Sequence, residues 1–161
     1  MPRQKIKPQP PSGTGARYED DLYTWVGEQI ALLKAGKSGE IDALNIAEEL
    51  SDVGNELRDK LESSIAVLSQ HLLKWDHQAA RRSRSWVLPV RELRRRIGRL
   101  LKRNPGLKSV LAEAIAEGYA DGRDRALDET GLPDGALPDV CPYSFEQLMT
   151  VEITLGNIQS Q

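Results

Sequence analysis

Large apolar residues in this chain recur at steps of three and four, and no alternating strand pattern survives along it. Leu22, Trp25, Val26, Gln29, Ile30 and Leu33 predict a first helix from about Tyr18 to Ala35. Glu19, Asp20 and Asp21 are expected in its first turn, where the helix dipole favours anions, and Gly36 as its left-handed cap. Leu50, Val53, Leu57, Leu61, Ile65, Leu68, Leu72 and Trp75 form one stripe and predict a long second helix, about residues 40–77. Roughly 34 residues at 1.5 Å each span about 50 Å, so this helix is expected to bend, break or project into a partner.

Residues 76–84 read as a linker or helix corner. Ser85 is the expected cap of a third helix ending near Arg103, with Trp86, Val90, Leu93, Ile97 and Leu100 as its apolar stripe. Pro89 then belongs in its first turn, where the missing N–H costs little. Asn104-Pro105 gives a cap followed by the favoured first helical residue, and predicts a fourth helix to about Glu129. Ala114, Gly118 and Gly122 make a small-residue strip on its inner face, read as close helix packing. Residues 130–143 are turn chemistry, and Ser144 with Gln147 is a capping-box pattern for a short fifth helix to about Thr150. The fold class is therefore all-α: a bundle of four main helices, one of them long, plus a short C-terminal helix.

With 161 residues the chain fits one ordinary domain, expected over 18–150. Residues 1–17 are basic and rich in Pro, with little to bury, and are expected as a disordered tail; 151–161 are expected to be weakly structured. No apolar run approaches 18 residues, so no membrane span is expected. The tail has no apolar secretory segment, and a cytoplasmic protein is expected. One Cys excludes an internal disulfide framework and a Cys-cluster zinc site.

The net charge of −2 hides a segregation. Residues 18–62 carry 12 acids and four bases, residues 81–103 ten bases and one acid, and residues 104–161 ten acids and three bases. Nine of the ten bases in 81–103 are Arg. Arg91, Arg95, Arg99 and Arg103 stand at four-residue spacing, with Arg94 beside them and Arg82 upstream. Such a face gives salt-dependent, largely sequence-independent affinity for phosphates. The competing expectation is internal: the acidic segments lie beside this block and neutralise it, in the fold or across a dimer. An acidic protein partner is the third.

Other chemistry is thin. His71 and His77, with Glu48, Glu49, Asp52 and Glu56, could supply a metal site or a hydrolase, but Glu49 and His71 are 22 residues apart, about 33 Å along one helix. The paired Glu-x-x-His motifs of a di-metal bundle are absent. Cys141 sits in a turn without a neighbouring base, and no phosphate-cradling glycine loop occurs. No metal and no cofactor are expected.

The runs YEDDLYTWVGEQIALLKAG (18–36), AEEL (47–50), HLLKW (71–75), RRSRSW (81–86), the helix after Asn104-Pro105, ETGLP (129–133) and CPYSFEQL (141–148) together resemble the domain of unknown function 29 family of bacterial proteins. The resemblance covers about residues 18–150 and implies an all-helical fold. It brings no activity, substrate or catalytic residue. It does mark Trp25, Glu48, Glu49, His71, Trp75, Arg82, Trp86 and Tyr143 as motif positions.

Three functions follow as expectations. The first is a helical interaction module without catalysis, a homo-oligomer, with Trp25, Trp75 and Trp86 anchoring the meeting of helices one, two and three. The second is a nucleic-acid or polyanion-binding regulatory protein using Arg82, Arg91, Arg94, Arg95, Arg99 and Arg103. The third is a hydrolase or metal-dependent enzyme built on His71 with Glu48 and Glu49.

Overall fold

The computed structural model describes residues 17–155; the rest of the two expected tails, 1–16 and 156–161, lies outside the described residues. Of the described residues 76% are helical and none is in a strand. The α-helices are α1 (Leu22–Lys34), α2 (Ala43–His77), α3 (Arg84–Arg103), α4 (Leu111–Thr130) and α5 (Phe145–Thr150), with 3-10 turns at Ala79–Arg81, Pro105–Val110 and Asp134–Ala136. The chain divides into two compact units, one ending at Val53 and one starting at Gly54.

In the first unit α1 begins later than the acidic run suggests. Residues 18–20 form a turn, and Asp21 is the N-cap, its carboxylate accepting from the Thr24 N–H at 3.0 Å. Glu19, Asp20 and Asp21 thus precede the first turn, because the cap must take a non-helical backbone. Gly36 closes the helix at φ 70°, as expected. The buried amide of Gln29 accepts from the backbone N–H of Asp42 at 2.8 Å, and the Asp42 carboxylate takes the N–H and the side-chain amide of Asn45 at the start of α2. Tyr18 packs edge-on against Trp25, centroids 4.9 Å apart, and donates to Glu49 at 2.8 Å. The predicted stripes are not core here: on α1 only Trp25 and Gln29 are buried, while Leu22, Val26, Ile30 and Leu33 are exposed, as are Leu50 and Val53 on α2.

The second unit holds the larger core. Leu61, Ile65, Leu68, Leu72 and Trp75 of α2 meet Val90, Ile97 and Leu101 of α3, Ala114 of α4, Leu148 of α5 and Ile153. The small-residue strip packs as its composition predicts. A Cβ on Gly118 would stand 2.7 Å from the Glu62 carbonyl oxygen, and one on Gly122 nearer still to that of Ala66, so only glycine lets α4 approach α2 this closely. A second cluster, Leu73, Tyr119, Ala126, Leu127 and Leu137, closes the other side of α2 and α4.

Two boundaries differ from expectation. The cap position of α3 is Ser83, in extended backbone, not Ser85; the two hydroxyls bond each other at 2.6 Å instead of capping. Pro89 therefore falls in the second turn, not the first, and leaves the i−4 carbonyl without its usual donor. After Asn104 the chain makes a 3-10 turn before α4 starts at Leu111. The fifth helix matches its prediction, with both halves of the Ser144–Gln147 capping box formed.

Candidate functional site

Helix α3 is amphipathic by construction. Val90, Ile97 and Leu101 enter the core. At 100° per residue, Arg84, Arg91, Arg95, Arg99 and Lys102 then fall within about 80° of the helix circumference, on the far side. All five are exposed, and so are Arg96 and Arg103 at the strip's edge. From Arg91 to Arg103 the strip runs about 18 Å.

Within the second unit, Glu92 is the one carboxylate among the described residues at ion-pair distance from a basic residue of α3. It reaches Arg95 at 2.7 Å and Arg99 at 3.5 Å, all three side chains more than half exposed. Such pairs are worth little and give way to stronger anions. Several acids of the unit are paired with other bases. Glu62 and Glu113 hold Arg58, Glu129 holds Lys74, Asp121 holds Arg125 and Asp139 holds Arg123.

Two candidate arginines are occupied by the fold. Arg94 is half-buried and donates from Nε and Nη2 to the carbonyls of Leu148 and Val151, both at 2.8 Å. It tethers the C-terminal end of α5 and leaves the binding set. Arg82 lies over the Trp75 ring, 4.9 Å from its centroid, and donates to the Trp75 carbonyl at 2.8 Å. Arg84 and Arg91 stand beside an open groove lined by Val87, Leu88, Ile153 and Leu155.

The motif residues separate by unit. In the first, Glu48 is exposed and Glu49 accepts from Tyr18, whose phenol is pushed up to about 12, chiefly by that bond. Trp25 also belongs there. In the second unit Trp75 lies under Arg82, Trp86 lies 4.6 Å from Lys74 Nζ, and Tyr143 donates to Asp76 at 2.6 Å. These contacts bind the corner between α2 and α3 and the segment leading into α5. His71 stands near Lys74 and Glu129; burial first, then the Lys74 charge, lowers its pKa, so it is neutral at pH 7. Its Nδ1 is buried without a partner. Burial pushes the Cys141 thiol up, the opposite of an activated nucleophile. Among the described residues no three His, Cys, Asp or Glu side chains are grouped to hold a metal ion.

Sequence reasoning missed the buried Lys74, held by Glu129 and Trp86, and missed Arg123, which ties down the turn after α4. Arg123 donates to the Pro138 carbonyl at 3.0 Å and to Asp139 at 2.9 Å, and also to the Asp134 carbonyl. Partners 11 to 16 residues away leave no local signal.

Comparison with known families gives one finding: a family model described as Domain of unknown function DUF29 matches residues 17–153. Neither the curated proteins nor the solved structures yield a significant match.

Proposed function

The chain belongs to the DUF29 family of unknown function, and from that premise we propose that it is a binding module that grips the phosphate backbone of nucleic acid through α3. The observation behind the reading is the strip of Arg84, Arg91, Arg95, Arg99 and Lys102, exposed and opposed by Glu92 alone within its unit among the described residues. Duplex DNA carries one charge per about 1.7 Å of axis, so about 18 Å of arginines meets several phosphates at once. The strip has no aromatic side chain and no grouped hydrogen-bonding amides, so affinity without sequence preference follows. The half-buried state of Trp86, under Lys74, keeps it from stacking on a base. This reading carries with it the cytoplasmic placement expected from the sequence.

The test is binding of labelled duplex and single-stranded oligonucleotides of unrelated sequence, followed as salt is raised. The wild type binds both, weakening steeply with salt, and the triple variant Arg91→Gln, Arg95→Gln, Arg99→Gln loses most of that dependence. A wild type that ignores both oligonucleotides at low salt, or a triple variant that keeps the wild-type salt dependence, refutes the reading.

A further inference from the structure

We infer that the exposed apolar stripe of α1 is the surface through which two copies of this chain form a two-fold dimer. Leu22, Val26, Ile30 and Leu33, with Tyr23 beside them, fall within about 100° of the α1 circumference. Tyr23 is 91% exposed, and none of the other four is less than 36% exposed. Their spacing of four, four and three is the spacing of a helix-packing seam.

The first unit needs such a seam. Its described part, residues 17–53, buries only Trp25 and Gln29 on α1 and nothing on the α2 segment it includes. Seven of its large apolar side chains, Leu22, Val26, Ile30, Leu33, Leu44, Leu50 and Val53, stand exposed. Apolar surface left open to this extent marks an interaction face.

The occupant is a second copy, for two reasons. The five α1 residues leave about 500 Å² of largely apolar surface open. A two-fold contact doubles this to about 1,000 Å², the size a specific interface needs to clear, from one patch repeated. The stripe also carries no charge. Nothing in it selects an oppositely charged partner, and the acids of the unit lie off it or before α1. A dimer would present two α3 strips per assembly, which raises avidity for a long polyanion.

The unit's charge supplies the distinguishing readout. Residues 17–53 carry nine acids and three bases, so two copies repel at their rims. Added salt screens that repulsion and tightens an apolar dimer. It weakens any contact made by an acidic surface on the arginines of α3. Sedimentation of the full chain at about 20 µM should give a mass near twice 17.9 kDa, unchanged or increased from low to high salt. Ile30→Glu should weaken association about 30-fold or more, and so should Val26→Glu made separately. Both side chains are exposed in the single chain, so circular dichroism and melting at low concentration stay as in the wild type. Three results overturn the inference: a monomer at that concentration, association that dissolves with salt, or a dimer that survives both folded variants.

Discussion

Replacing Arg91, Arg95 and Arg99 by Gln removes three of the five cations in the α3 strip without touching the core. Arg95 and Arg99 keep 69% and 63% of their side chains exposed, and within the described residues of their unit they pair with Glu92. The stability change should therefore stay within about 0.5 kcal/mol. If all five strip cations neutralise phosphates on a duplex, the slope of log K against log salt is about −4.5. Affinity then falls about 500-fold between 50 and 200 mM salt. The triple variant keeps Arg84 and Lys102, a slope of about −1.8, and a fall of only about 12-fold over the same interval. Glu92→Gln moves the other way. Its carboxylate competes with phosphate for Arg95 and Arg99, so removing it tightens binding without flattening the slope. Fluorescence anisotropy with a labelled duplex at four salt concentrations measures all three slopes. A triple variant with the wild-type slope would mean that other basic residues, such as Arg3, Lys5 and Lys7, carry the binding and that α3 does not.

The remaining predictions concern the scaffold. Gly122→Ala drives a Cβ into the rigid Ala66 carbonyl and should cost about 3 kcal/mol in a thermal or urea melt, whereas Gly98→Ala, with nothing within 4 Å, should gain about 1 kcal/mol. Glu129→Ala strands the buried Lys74 ammonium on the Trp86 ring; because Glu129 is itself half exposed, the expected loss is about 2 kcal/mol, less than for a fully buried pair, and adding Lys74→Met should recover most of it. His71 has a folded pKa below its ordinary 6.5, so the unfolded chain takes up that proton first and stability falls as pH drops through 6.5. His71→Leu should flatten the stability profile between pH 7 and pH 5. Glu129, lowered chiefly by Lys74, leaves its own decline to pH values below 4.5. A variant that keeps the wild-type slope from pH 7 to pH 5 would clear His71 of the effect.

What the sequence made legible is what local chemistry decides. The capping box at Ser144 and Gln147 marks α5 to the residue, because donor and acceptor are three positions apart. The glycines of α4 announce close packing, because nothing else tolerates a carbonyl at that distance. The α1 stripe shows the opposite case. Periodicity reports that a face is apolar and is silent about what covers it, so Leu22 and Ile30 read like Trp25 although only Trp25 is buried. Serine is an equally good cap at 83 and at 85, and the choice was settled by the backbone.

The arginine block sharpens the point. Nine arginines invite treatment as one surface, yet Arg94 and Arg95 are neighbours in sequence and 100° apart on the helix. Arg94 lies four residues after Val90 and seven before Leu101, on the apolar stripe itself, and its guanidinium accordingly turns inward to the carbonyls of Leu148 and Val151. That phase was readable from the spacing, and it separates the structural arginine from the exposed ones. Within the second unit, Glu62, Glu113, Glu129 and Asp121 of α2 and α4 pair with Arg58, Lys74 and Arg125 on those same two helices. The strip is exposed because it lies on the side of α3 turned away from the residues that pack the core, and that exposure is what the proposed phosphate-binding reading rests on.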